Sequence, residues 1–333
     1  MQIERTFWKV LIAFAAFGLV LLIAGKHPLQ AYADTAVFVL GSLEGFTELF
    51  VRMSPLVMAA LAVSIPARIG LFNVGGEGQI YMGALFATGT ALSLAHAPSW
   101  LLLPATLASG FAGGAVWALI PALMRIKGVA NEAITTLLLN YIAPLAVGYM
   151  IFGPWRSPES LSYPQSPKLV EGARLAVLPG TRLHAGLLIA AACLALCAYV
   201  LYRTRWGLEM RAIGGNALAS QHLGLPVRSY IVACMAIGGG IAGLAGMAEV
   251  SAIQGRLVAE ISPGYGYMGF LVAWLAGPSA AKTVAMAFLF AFISSVGDVL
   301  QITQGVPFAV VNILMAAILF SVLCGGKRAG ALQ

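Results

Sequence analysis

Arg68-Ile69-Gly70-Leu71-Phe72-Asn73-Val74-Gly75-Gly76-Glu77-Gly78-Gln79 separates two long apolar runs in a very hydrophobic chain. Within twelve positions it carries an arginine, an asparagine, a carboxylate, an amide and four glycines. A helix crossing a bilayer does not select this composition. Freed backbone groups and a carboxylate are tolerated at membrane depth only where protein or water satisfies them. The stretch reads as a functional break in a membrane protein.

The surrounding composition agrees. Hydrophobic residues make up 60% of the chain and charged residues 9%, against about 25% charged in soluble domains. The fold class is therefore an all-α polytopic membrane protein. The net charge of +7 gives no reason to invoke nucleic acid, because most basic residues fall in short loops between apolar runs, as on the cytoplasmic side of membrane proteins. Cys193 and Cys197 share one face of an apolar run, and Cys234 and Cys324 lie in two others. They read as small core residues rather than paired or metal-bound thiols. Near the start, Arg5 and Lys9 flank the apolar run 7–24, and Ala31-Tyr32-Ala33 resembles a small-residue cleavage site. The run is long for a signal core and the candidate cut lies well beyond it, so a retained first span is the reading.

Apolar runs at 7–24, 54–69, 78–97, 99–122, 130–152, 185–202, 229–250, 266–277, 283–298 and 306–324 suggest about ten spans, several reaching the ~20 residues that a crossing needs. They form a single transmembrane domain over 1–333, with a first span at 7–24 and a core over 54–324. The run at 266–277 is short and glycine-flanked, as a half-helix would be. In 35–51, Glu44 and Glu48 are spaced i, i+4 on an apolar segment, which reads as an amphipathic helix at the outer surface. With the N-terminus inside, Arg125, Lys127, Arg203, Arg205, Arg211 and Arg228 all face the cytoplasm. The proline-rich segment 153–184 is then a longer, structured outer loop, and the basic segment 203–228 the largest inner loop.

No G-x-x-x-x-G-K-[ST] sequence is present. Gly238-Gly239-Gly240-Ile241-Ala242-Gly243 matches a dinucleotide fingerprint only by accident, since no strand precedes it. Gly239 with Gly243, and Gly110 with Gly114, fit close helix packing instead. The alternation of span directions also suggests inverted repeats, which would pair the break with Gly264-Tyr265-Gly266 on the opposite side of the membrane.

Three stretches carry candidate chemistry. In the break, Asn73, Glu77 and Gln79 either line a gate, or Glu77 pairs with Arg68 or caps the next helix and holds the break in shape. In residues 131–141, Asn131 and Thr135 lie one turn apart, Glu132 and Thr136 likewise, and Thr136 and Asn140 continue one face. Such a stripe lines a path for a polar uncharged solute, or supplies interhelical hydrogen bonds. In the inner loop, Gly214-Gly215 interrupts the chain, Asn216 can cap a helix from Ala217 to Leu223, and Gly224 and Pro226 end it. This is either a docking element for a cytoplasmic partner or a solvated loop. His27, His96, His184 and His222 are scattered, so no catalytic or metal-ligating set emerges.

Four stretches carry a resemblance: residues 70–79, residues 131–141, Gly180-Thr181-Arg182-Leu183-His184 leading to Arg203-Thr204-Arg205-Trp206-Gly207, and residues 212–225. From about residue 50 onward the chain resembles the permease subunits of bacterial ATP-binding-cassette importers, in the branched-chain amino acid and simple-sugar permease superfamily. It looks most like the nucleoside permeases that work with basic membrane lipoproteins. Two positions depart from the pattern: Gly76 stands where alanine or valine is typical, and Pro278-Ser279-Ala280 replaces a more polar turn.

The resemblance implies an import function without catalysis or cofactor. The expected partners are a cytoplasmic ATP-binding subunit, a second permease forming a heterodimer, and an extracytoplasmic solute-binding lipoprotein, all at the bacterial inner membrane with its lipid. Gly214, Asn216, Ala219, Gly224 and Leu225 would form the coupling loop, and solute would pass near Asn73, Glu77, Gln79, Asn131, Thr135 and Asn140. The solute is a nucleoside first and a simple sugar second. An ion-coupled secondary transporter, with Glu77 or Glu132 as the protonated group, is the remaining transport alternative.

Overall fold

The computed structural model describes residues 25–160 and 163–305, together with Ala15, Gly18, Leu19, Leu21, Leu22, Ile23, Val310 and Ile313. Most of the expected spans at 7–24 and 306–324 lies outside the described residues. Every apolar run between them is helical. Helix α1 covers Pro28–Gly41 and α2 Leu43–Ala67. After the break come α3, Gly76–Ser93, and α4, Ser99–Ile126. Helix α5 is Glu132–Phe152 and α6 is Gly186–Arg203. The short helices α7, Arg205–Gly215, and α8, Ala217–His222, follow. Helix α9, Val227–Ala248, runs into a π-helical turn at Glu249–Gln254. Helix α10 is Tyr265–Ala276 and α11 is Ala280–Gln304. Among the described residues, six helices are long and apolar enough to cross a membrane, and the twelve-residue α10 is a shorter apolar helix.

The stretch 35–51 differs from its sequence reading. It is no separate surface helix: it divides at Ser42, and its second part forms the first turns of α2. Ser42 Oγ accepts from the Gly45 N–H at 2.9 Å, and Glu44 sits in the first turn, where the helix dipole favours it. Farther along, Glu48 meets Arg52 at 3.2 Å and Arg182 of segment 153–184 at 3.2 Å, while Arg52 also pairs with Asp298 of α11. These pairings neutralise the charges that make the segment look like a surface element. Helix α2 continues through Pro55 and is almost wholly buried from Met53 to Val63.

Helix α9 packs against α4, α3 and α2. Glycines set the spacing. A Cβ on Gly114 would lie 2.1 Å from the Gly239 carbonyl oxygen, and one on Gly243 would lie 2.2 Å from the Gly110 carbonyl oxygen. The small-residue seams read from the sequence are thus the α4–α9 contact, with backbones nearly touching. Segment 153–184 is tied to the stretch after the π-helical turn: Ser166 N–H donates to the Leu257 carbonyl at 2.9 Å and Leu169 N–H to the Gly255 carbonyl at 2.9 Å.

Candidate functional site

Between α2 and α3 the chain leaves helical geometry at residues 68–75, and its groups are satisfied from three sides. The first is internal. Asn73 Nδ2 donates to Gln79 Oε1 at 3.1 Å, and Gln79 Nε2 donates back to Asn73 Oδ1 at 2.9 Å. Asn73 also donates to the Ala62 carbonyl at 3.0 Å and accepts from the Gly75 N–H at 3.1 Å. Both side chains are buried.

The second support is α5. Glu132, Thr136 and Asn140, each one turn apart, present one face to the break. Glu132 Oε1 accepts from the Phe72 N–H at 3.4 Å, and Thr136 Oγ1 accepts from the Val74 N–H at 3.2 Å. Asn140 accepts from the Gly78 N–H at 2.9 Å and donates to the Val74 carbonyl at 2.9 Å. Arg125, at the end of α4, pairs with Glu132 at 3.2 Å. The close approach accounts for two glycines. A Cβ on Gly75 would sit 2.9 Å from Thr136 Cβ, and one on Gly78 would sit 2.9 Å from Trp117 Nε1 and 3.1 Å from Asn140 Oδ1.

The third support is α10. Gly264, with φ +97°, precedes this helix and has no capping side chain. Its free N–H groups are satisfied from elsewhere. Tyr265 N–H donates to Ser262 Oγ at 2.9 Å, and Gly266 N–H donates to Glu77 Oε2 at 2.7 Å. The Glu77 carboxylate therefore serves the N-termini of two helices, its own α3 and α10. A Cβ on Gly266 would lie 2.0 Å from the Glu77 nitrogen. The two glycine-rich segments that the inverted-repeat reading pairs are in direct contact.

Glu77 does not pair with Arg68, whose guanidinium is bound elsewhere: Arg68 Nη2 donates to the Tyr202 hydroxyl at 2.7 Å and to the Pro278 carbonyl at 3.0 Å. Of the other expected pathway residues, Asn131 is exposed and caps α5, accepting from the Ala133 N–H at 2.8 Å. Thr135 is buried and donates to the Asn131 carbonyl at 2.9 Å. The structure thus brings Asn73, Glu77, Gln79 and Asn140 together and leaves Asn131 and Thr135 outside the contact. Glu132 and Thr136 complete the group. Beside the break, Phe72, Tyr267 and Trp274 are exposed aromatic residues. The Phe72 and Trp274 rings are 6.1 Å apart, and Trp274 stacks on Phe270 at 6.0 Å.

Segment 203–228 folds as two short helices joined at Asn216; Gly214 and Gly215 lie inside α7 and do not interrupt the chain there, contrary to the sequence reading. Asn216 Oδ1 accepts from the Ala219 N–H at 2.9 Å and starts α8. Gly224, with φ +85°, follows its end. Leu208, Leu218 and Leu223 are exposed on this short element. At the end of segment 153–184, His184 is buried. Its Nδ1 accepts from the Gly186 N–H at 3.1 Å, which puts the proton of the neutral ring on Nε2, and Nε2 has no partner. Burial first, and the Arg182 charge second, push His184 down to about 4.

Residues 45–323 match a family model described as "Branched-chain amino acid transport system / permease component". The chain is 36% identical over 321 residues to the glucose ABC transporter permease protein TsgB13 of Haloferax volcanii, covering 93% of this chain and 84% of that protein. It is 30% identical over 322 residues to the guanosine ABC transporter permease protein NupP of Bacillus subtilis, covering 94% and 90%. Its fold is similar to a chain of PsaBC from Streptococcus pneumoniae in complex with Fab, with TM-score 0.51, 14% identity and coverage of 90% and 98%.

Proposed function

From the premise that this chain belongs to the permease-component family of branched-chain amino acid transport systems, we propose that it carries a nucleoside into the cytoplasm. It is an ABC importer permease, a multi-pass membrane subunit with no ATPase of its own. The energy must come from a cytoplasmic ATP-binding subunit, and solute from an extracytoplasmic binding lipoprotein. A second permease completes the channel as a heterodimer. The six long apolar helices, with α3, α10 and the apolar runs at 7–24 and 306–324, make ten crossings, with the N-terminus in the cytoplasm of a bacterial cell.

The observation that carries the importer reading is the element α7–Asn216–α8, an ordered helical pair with exposed leucines set between basic residues. Gly214, Asn216, Ala219, Gly224 and Leu225 are its coupling residues. The pathway runs beside the break. Asn73, Glu77, Gln79 and Asn140 hold the break that flanks it, while Phe72, Tyr267 and Trp274 offer aromatic faces on which a planar base can stack. Glu77 and Glu132 are both engaged with backbone N–H groups, which disfavours ion coupling through either. A simple sugar is the second reading, favoured by the 36% identity to a permease named for glucose.

The test is uptake by vesicles holding this chain, the second permease, the ATP-binding subunit and the lipoprotein. Labelled guanosine should accumulate only with ATP inside, and excess unlabelled glucose should not compete. Competition by glucose moves the assignment to sugars, and accumulation without the ATP-binding subunit overturns the importer mechanism.

A further inference from the structure

Arg68 lies where four parts of the fold meet. It caps α2, its N–H donating to the carbonyls of Ile65 and Pro66. Its guanidinium lies over the Tyr202 ring, Cζ 5.1 Å from the centroid, and donates to that hydroxyl and to Pro278. Tyr202 belongs to the last turn of α6, and Pro278 to the turn between α10 and α11. On the other side, Gly214 of α7 rests on the Arg68 backbone. A Cβ there would lie 2.2 Å from the Arg68 carbonyl oxygen and 3.5 Å from Ile69 Cα.

These contacts close a ring. From Arg68 the guanidinium reaches Pro278, and α10 leads from there back to Gly266. Gly266 is bonded to Glu77, and the break returns from Glu77 to Arg68. The segment between α2 and α3 is thus tied to α10 at both of its ends. The docking element bears on this ring where Gly214 meets Arg68. Backbone contact at that range resists compression steeply, as packed interiors do, so displacement of α7 toward α2 must shift Arg68 and Ile69.

We propose that Arg68 is a positioning residue for transport, through which movement of α7 and α8 displaces the break and α10 as one unit. The inference rests on the importer reading above. Arginine suits the place because its planar fork can stack on Tyr202 while donating to two acceptors, which a lysine ammonium does less well. Coupling requires that the ring adopt different positions in the two access states.

The experiment uses the complete importer in vesicles and measures solute taken up per ATP hydrolysed. It also follows maleimide labelling of Phe72→Cys, in a background without the native cysteines, with and without ATP and vanadate. Arg68→Ala should keep the ATP-binding subunit attached and hydrolysing, while uptake per ATP falls by about tenfold, the scale of one lost charge-assisted bond. Labelling of Phe72→Cys should lose its dependence on nucleotide. Arg68→Lys and Tyr202→Phe should fall between Arg68→Ala and wild type. If Arg68→Ala does not assemble, these two milder variants decide by the same ratio. Unchanged uptake per ATP in Arg68→Lys and Tyr202→Phe, with labelling still nucleotide-dependent, overturns the proposal while leaving the importer reading intact. Failure of the importer reading is visible separately, as ATP-independent uptake by wild type.

Discussion

The side-chain amides of Asn73 and Gln79 are bonded to each other in both directions, at 3.1 and 2.9 Å, with both residues buried. This pairing lets a stretch of non-helical chain exist inside a membrane bundle, because each amide satisfies a group the other would leave unpaired. Gln79→Leu should therefore destabilise the protein by about 1–3 kcal/mol, the cost of stranding buried polar atoms. Thermal unfolding of the purified chain in detergent checks this; a melting temperature equal to wild type would show that the pair contributes nothing.

Helix α5 should prove graded in its support. Asn140 makes two bonds to the break and Thr136 accepts one. Asn140→Leu is expected to cost about twice as much as Thr136→Val, at roughly 0.5–1.5 kcal/mol per bond lost. The same unfolding assay orders the two variants, and the reverse order would contradict the described contacts.

Gly76 and Gly266 face each other but tolerate change differently. A Cβ on Gly76 meets the nearest atom, Gly266 Cα, at 3.3 Å, whereas a Cβ on Gly266 meets the Glu77 nitrogen at 2.0 Å. Gly76→Ala should assemble and transport near wild-type level. Gly266→Ala should force α10 from α3, break the Glu77 bond and abolish uptake. Expression level and uptake, measured side by side, separate these outcomes.

Acid should loosen segment 153–184. His184 titrates at about 4 in the folded protein, against 6.5 for an ordinary histidine. Between these values the unfolded chain binds the proton and the folded one does not, so stability falls as pH drops from 6.5 toward 4. His184→Gln removes that slope. Protease nicking of segment 153–184, followed across pH 7 to 4, should rise for wild type and rise less for the variant.

Much of this was legible in the sequence. The apolar runs at 78–97, 99–122 and 130–152 became α3, α4 and α5 because hydropathy is a local property. Asn216 was readable as a cap because capping acts over three residues. What failed to show was long-range. Arg52 and Glu48 look like surface charges until Asp298 and Arg182 arrive from distant parts of the chain. On α5 the polar stripe was visible, but its phase was not. Asn131 and Thr135 lie one residue, or about 100° of helix, from Glu132 and Thr136, and only the position of the break selects between them. The role of Glu77 was undecidable for the same reason: its acceptor duty to Gly266 spans 189 positions.

The bonding of segment 68–79 to its own side chains and to α5 bears on any effort to re-engineer which molecule the protein moves. Randomising Asn73, Gln79 or Asn140 would mostly sample chains that cannot assemble, since those side chains are committed to their own scaffold. A library confined to Phe72, Tyr267 and Trp274 would leave that scaffold standing and spend its diversity on selectivity.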